Sequence, residues 1–313
     1  NDPDLTSALS NWSDALAHLG DFAQARPLAE RAVARDRAYF GAHHPSYASS
    51  VMSLGSRLME AGELEPAERA QREALDILTD VHGADSVAVI APHHNLAIVL
   101  AQRGQLDAAR VHAERAMTLS NQHRGPDHQH SLLASFTLAN VIAEAGDFAA
   151  ARDILERGQP RCVARLGAGH PLCASMLSNL GEWAMRQDAP DRAAAYFTRA
   201  LDAMKGRDDD PILPAMWIGL GEALLAQGRR SEALRLLERA AAARRASAPS
   251  PFDVADADIA LAHALWQSGQ RTRATRLARR ARATFVAAGA EGARELAALD
   301  QWAASHHVPV ATK

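Results

Sequence analysis

An all-α solenoid of stacked helix pairs is the fold that this 313-residue sequence predicts. Seven turn residues, Gly20, Gly62, Gly104, Gly146, Asp188, Gly228 and Gly269, recur 42, 42, 42, 42, 40 and 41 residues apart. Five positions after each stands an alanine: Ala25, Ala67, Ala109, Ala151, Ala193, Ala233 and Ala274. A near-constant period of this size marks a repeat architecture, in which each unit buries its apolar face only against its neighbours. Composition agrees. Hydrophobic residues make up 48% and aromatics only 5%, a profile of alanine-rich helix contacts rather than of a β-sandwich core. Stacking also lifts the size limit that one compact core of this length would meet.

Within a repeat, register is counted from the turn residue. In the first helix, large residues occupy −8 (Trp12, Leu54, Leu96, Leu138, Leu180, Leu220, Leu261) and −4 (Leu16, Leu58, Leu100, Ile142, Ala184, Leu224, Leu265). Four residues apart, they share one helical face. Position −7 is small throughout (Ser13, Gly55, Ala97, Ala139, Gly181, Gly221, Ala262), so a neighbouring helix can approach closely there. The turn follows, and glycine suits the left-handed end of a helix. In the second helix, alanine recurs at +5 and again at +12 (Ala32, Ala74, Ala116, Ala200, Ala240, Ala281). The two lie about two helical turns apart and therefore face the same partner.

Two repeats depart from this pattern. The fourth has Gly158-Gln159-Pro160 where alanine is expected, which predicts a bend or break in its second helix. The fifth turns through Asp188-Ala189-Pro190. Seven repeats thus occupy residues 1–289. Residues 290–306 read as a capping helix, with Leu296, Leu299 and Trp302 on one side to cover the last apolar face. Residues 307–313 read as a frayed tail. Cys162 and Cys173 flank the loop between repeats four and five. Two cysteines in a chain this size read as reduced thiols of a cytoplasmic protein, although helices running antiparallel there make a bridge geometrically conceivable.

These recurring positions resemble the tetratricopeptide repeat (TPR), whose first helix carries a Leu-Gly pair and whose second carries two spaced alanines over about 34 residues. The longer period here, with Gly41-Ala42-His43-His44-Pro45 and Gly167-Ala168-Gly169-His170-Pro171 between units, resembles the kinesin-light-chain subtype. That segment decays to Gly83-Ala84-Asp85-Ser86 and Gly125-Pro126-Asp127-His128. The resemblance covers residues 5 to 287 and implies a right-handed superhelix that supplies a binding surface, without fixing the ligand. The alanine and arginine bias, the absent initiator Met and the Arg294-Glu295-Leu296 … Trp302 helix also resemble the ends of bacterial serine/threonine kinases that carry such repeats. That second resemblance implies the docking or sensor part of a larger bacterial signalling protein.

The motifs of common chemistry are absent from the sequence. It contains no phosphate loop, Gly-x-Ser-x-Gly elbow, His-Glu-x-x-His or kinase catalytic loop, so neither enzyme activity nor a cofactor is expected. Histidines cluster as His43/His44, His93/His94, His128/His130 and His306/His307. Adjacent helical side chains point about 100° apart, which disfavours chelation by one pair, and no metal is expected. His44 and His170 precede prolines that start helices, where turn chemistry accounts for them. The run Asp208-Asp209-Asp210 lacks calcium-loop spacing and reads as a helix lead-in. Net charge is −3, which offers no global field for nucleic acid or an anionic membrane. No apolar run approaches the ~18 residues of a membrane span. The basic helix with Arg271, Arg273, Arg276, Arg279, Arg280 and Arg282 lacks neighbouring aromatics for base stacking. It reads as charge-matched by Glu291, Glu295 and Asp300 or as a plain solvated face.

The binding candidates lie on the first helices. In TPR proteins that wall takes extended peptides through residues resembling those here at −13, −10, −9, −6 and −2. Asparagine stands at −9 in alternate repeats, as Asn11, Asn95 and Asn179. Its amide can donate to and accept from a peptide backbone; a bond to the neighbouring helix is the competing role. His94 and Phe136 at −10, Asp14, Asn140, Glu182 and Glu222 at −6, and Arg186 at −2 complete the candidate groove. No fixed cation occupies −10 or −6, so a clamp for a C-terminal carboxylate is not expected. Acidic residues with apolar islands (Met52, Met59, Phe136, Met185, Trp266) predict a protein or peptide partner bearing basic and apolar residues. The function this predicts is a non-enzymatic protein-interaction scaffold. The alternatives are the sensor part of a signalling protein, as above, and a small-molecule sensor using the groove between repeats four and five.

Overall fold

The structure is a computed structural model that describes residues 3–246, 250–289 and 292–310. Residues 290 and 291 of the expected cap and 311–313 of the expected tail lie outside the described residues. Among the described residues all regular structure is helical. The chain divides into two compact units, Asn1–Arg165 and Leu166–Lys313.

The first unit contains α1 (Pro3–His18), α2 (Phe22–Phe40), α3 (Pro45–Glu60), α4 (Leu64–His82), α5 (Ile90–Gln102), α6 (Leu106–Arg124) and α7 (Gln129–Glu144), and α8 (Phe148–Leu166) ends at its boundary. The second contains α9 (Pro171–Arg186), α10 (Pro190–Ala203), α11 (Leu213–Ala226), α12 (Arg230–Ala246), α13 (Pro251–Gln267), α14 (Arg271–Ala288) and α15 (Ala293–Ser305). Every predicted turn residue falls at the centre of a three-residue gap between a first and a second helix.

The turns share one hydrogen-bond pattern. The six turn glycines have φ between 73° and 94°, and Asp188 adopts the same left-handed region at φ 53°. In all seven, the amide after the turn residue donates to the carbonyl of the −4 residue at 2.8–3.1 Å, from Asp21 to Leu16 through Gln270 to Leu265. This bond satisfies a carbonyl that the helix end would otherwise orphan. First helices are capped as their sequence suggests. His44, His128 and His170 each accept at Nδ1 from the amide two residues on, at 3.1, 3.2 and 3.2 Å. Asp210 caps the approach to α11 by accepting from the Ile212 amide at 3.2 Å.

The core lies between paired helices. All seven +5 alanines are fully buried. Position −7 faces position +9 of the second helix, and the volumes there compensate in six repeats, Ala139 with Leu155 being the exception. A Cβ added to Gly55 would meet Gln71 at 2.6 Å, one on Gly181 would meet Phe197 at 2.8 Å, and one on Gly221 would meet Leu237 at 2.7 Å. Where −7 is Ser13, Ala97 or Ala262, +9 is alanine: Ala29, Ala113 and Ala278.

Four expectations need correction. The second helix of repeat four neither breaks nor stops: α8 runs continuously through Pro160. Pro160 lies on the exposed face, while Leu155, Gly158, Gln159 and Cys162 hold the helix by their burial. Trp12, on the −8 stripe, is 59% exposed rather than buried. The tail does not fray at 307. Val308 and Val310 are buried in the same apolar cluster as Phe285, Leu299 and Ala303, and Arg279 Nε donates to the Pro309 carbonyl at 2.8 Å. Finally, Cys162 and Cys173 are not reduced thiols; both are buried and disulfide-bonded.

Candidate functional site

Within each unit the first helices touch one another in succession, α1 with α3, α3 with α5 and α5 with α7, then α9 with α11 and α11 with α13. They make one layer, or wall, of their unit, and the residues at −10, −9, −6 and −2 belong to it. The two walls differ in chemistry.

In the first unit, several candidates already have partners. Asp14 lies 3.4 Å from the Arg57 guanidinium of α3, which also meets Glu60 at 3.0 Å. Arg57, largely buried, is a wall cation that the register positions above miss, because it stands at −5. Asn95 donates from Nδ2 to Gln71 Oε1 at 3.3 Å, and Gln71 in turn donates to the Met52 carbonyl at 2.9 Å. Its amide nitrogen therefore serves the neighbouring helix. Asn11 is exposed, and Phe136 and Asn140 are half-buried on α7. His94 is half-buried; burial, reinforced by the nearby His130, lowers its pKa and favours the neutral ring.

A second histidine contact was not legible in the sequence. His93 of α5 and His112 of α6 bring their Nδ1 atoms to 2.8 Å, so one ring donates its Nδ1–H and the other accepts. Burial, then His112 and Arg115, lower His93 to about 4. Among the described residues no three His, Cys, Asp or Glu side chains gather as a metal site would require.

The wall of the second unit is acidic. Glu182 of α9, Glu222 of α11 and Asp256 of α13 stand on successive first helices. All three are exposed to water, while surrounding protein partly strips their solvation. That loss of solvation is the main cause of their raised pKa values. Glu222 is raised to about 7, with Glu182 and then Asp256 adding like-charge repulsion. Arg186 works in the opposite direction on Glu182. Asn179 is half-buried beside this group. The wall ends at α15, where the Trp302 ring lies 4.3 Å from His263 and 6.2 Å from Trp266. Trp266 is therefore not the open apolar island that its position suggests: it is buried, with Arg271 over its ring at 3.9 Å. Burial, together with His306, lowers His263 to about 4.

Comparison with known proteins agrees with this architecture. A family profile described as the MalT-like TPR region matches residues 5–281. The chain resembles BtubC (BKLC) from P. vanneervenii at 21% identity, over 72% of this chain and 92% of that one, with a TM-score of 0.60. It resembles a putative kinesin light chain with nearly identical TPR-like repeats from Podosopora anserina at 19% identity, over 79% and 98%, with a TM-score of 0.50. It also resembles the apo form of the quorum sensor NprR from B. thuringiensis at 11% identity, over 96% and 87%, with a TM-score of 0.64. At these identities the likeness establishes the fold alone. The comparison with curated proteins returns no match. No described helix is long and apolar enough to cross a membrane.

Proposed function

Because the chain belongs to the MalT-like TPR region family, we propose that it is a non-enzymatic interaction module whose second unit binds a segment bearing basic and apolar residues. One observation carries this reading. Glu182, Glu222 and Asp256 are held close enough for Glu222 to feel both of the others, with Arg186 offsetting Glu182. Like charges kept together in a crowded site cost stability. A cation brought by a partner relieves that repulsion, and its apolar neighbours can pack against the half-buried Met185, Leu220 and Ile259.

The pH dependence has a definite sign. A bound cation favours the ionised carboxylates, so binding releases protons below about pH 7 and tightens as pH rises through the value of Glu222. The test uses a dye-labelled peptide of alternating Arg and Leu and a counterpart with Gln for Arg, titrated at pH 6 and pH 8. The Arg peptide should bind more tightly at pH 8, and Glu182→Gln with Glu222→Gln should weaken it about tenfold. Equal affinity for the two peptides, or no response to the double variant, would remove the proposal.

A further inference from the structure

The six arginines of α14 divide into two sets of three. Arg273 meets Glu238 of α12 at 2.7 Å, Arg280 meets Asp258 of α13 at 2.6 Å, and Arg282 meets Asp300 of α15 at 2.8 Å. Each of these is neutralised within the second unit. Arg271, Arg276 and Arg279 meet no carboxylate among the described residues. Arg271 stacks over Trp266, and Arg279 spends its Nε on the Pro309 carbonyl. Both contacts hold a guanidinium in place while leaving its charge unmatched and its terminal nitrogens free of carboxylate.

These three arginines, with Thr272 and Thr275, line one cavity of about 490 Å³ that also touches Trp266 and Pro309. We propose that this cavity is a docking site for an acidic peptide segment, separate from the acidic wall of the same unit. Charge complementarity selects the occupant: three cations, two of them held by those contacts, and two hydroxyl donors face a space with no acid in its lining. Spacing selects its form. At 1.5 Å of rise per residue, Arg271, Arg276 and Arg279 spread over ~12 Å of helix axis. Carboxylates on alternate residues of an extended chain repeat every ~7 Å, so successive acids can reach successive guanidinium groups. A single tetrahedral ion spans too little of that length. Nucleic acid fits less well, because Trp266 is buried and its face is covered by Arg271, leaving no platform for a base.

The experiment is fluorescence anisotropy with a labelled octapeptide of Glu and Asp, its Gln/Asn counterpart and an oligothymidine of equal length. The full chain carries either no change, Arg276→Glu with Arg279→Glu, or Arg31→Glu with Arg157→Glu. The last pair makes the same change in net charge at exposed positions on α2 and α8. The acidic octapeptide should bind, its neutral counterpart should not, and the cavity variant should weaken binding about tenfold or more while the control stays within about twofold. Arg276→Gln with Arg279→Gln keeps a hydrogen-bond donor for Pro309 and repeats the test should charge reversal unfold the end of the chain. Absent binding, equal weakening by the control pair, displacement of the peptide by millimolar inorganic phosphate, or tighter binding of oligothymidine would each overturn the proposal.

Discussion

Replacing Gly219 by alanine should destabilise the second unit, although alanine is the better helix former. Gly219 lies inside α11 with an ordinary helical backbone, so the exchange by itself gains about 1 kcal/mol. Its Cβ, however, would lie 2.3 Å from Phe197 Cζ and 2.4 Å from Cε1. Ordinary contact begins near 3.5 Å, so the ring must retreat by ~1 Å. Phe197 has no solvent face into which to retreat. The open direction is toward Gly181 of α9, whose own missing Cβ would lie 2.8 Å from the same ring. Overpacking of a tight core costs about 1–3 kcal/mol, which leaves a net loss of up to about 2 kcal/mol after the helix gain. Adding Gly181→Ala closes the escape, so the double variant should lose more than the sum of the singles. Phe197→Leu should recover part of the loss in the double variant. The assay is denaturant unfolding followed by tryptophan fluorescence, since Trp183, Trp217, Trp266 and Trp302 all lie in this unit and only Trp12 lies outside it. If Gly219→Ala raises the unfolding midpoint, or the two alanines act additively, the slot does not constrain the helix pair as argued.

Three further outcomes follow from the same structure. Glu222 takes its proton more readily folded than unfolded, so its contribution to stability is present below the ordinary 4.5 and is lost as pH rises through about 7. The full gap would amount to ~3 kcal/mol, which contact with water reduces to about 1; Glu222→Gln should therefore raise the melting temperature at pH 8 and leave it nearly unchanged at pH 4, by calorimetry. Asp258 is buried and receives Arg280 at 2.6 Å and Arg245 at 3.2 Å. Asp258→Ala leaves two half-exposed cations without it and should cost about 2–3 kcal/mol, read by thermal melting, with Asp258→Asn recovering little. Asp188→Gly places the residue best suited to φ 53° at the irregular turn and should stabilise by about 0.5–1 kcal/mol; chemical denaturation showing a loss would mean that the Asp188 side chain contributes more than its backbone costs.

The readable part of this protein is the part that repeats. A turn glycine, a −4 leucine and a +5 alanine each answer to forces within a few residues or to an identical neighbouring unit, so period alone exposes them. His44, His170 and Asp210 belong to the same class, because capping joins atoms only two residues apart. The candidate site was proposed on the same terms. Register assigns Asp14, His94, Asn95, Glu182 and Glu222 to first helices, and a groove there is what it proposes.

Which of those groups is already engaged depends on residues from another helix, and only the tertiary structure decided it. Arg57 answers Asp14 from one repeat further on, and Gln71 takes the Asn95 amide from the preceding second helix. Phe197 fills the space left by Gly181 and Gly219 from outside either helix. Trp12 is exposed although it shares the register of buried leucines, while Val308 and Val310 are buried in the apolar cluster that α14 and α15 form. The arginines of α14 look alike in sequence, yet Asp258, Asp300 and Glu238 neutralise three and leave three facing one cavity. Periodicity specifies which face a side chain occupies. What it meets there is set by packing between repeats, where the sequences differ from unit to unit.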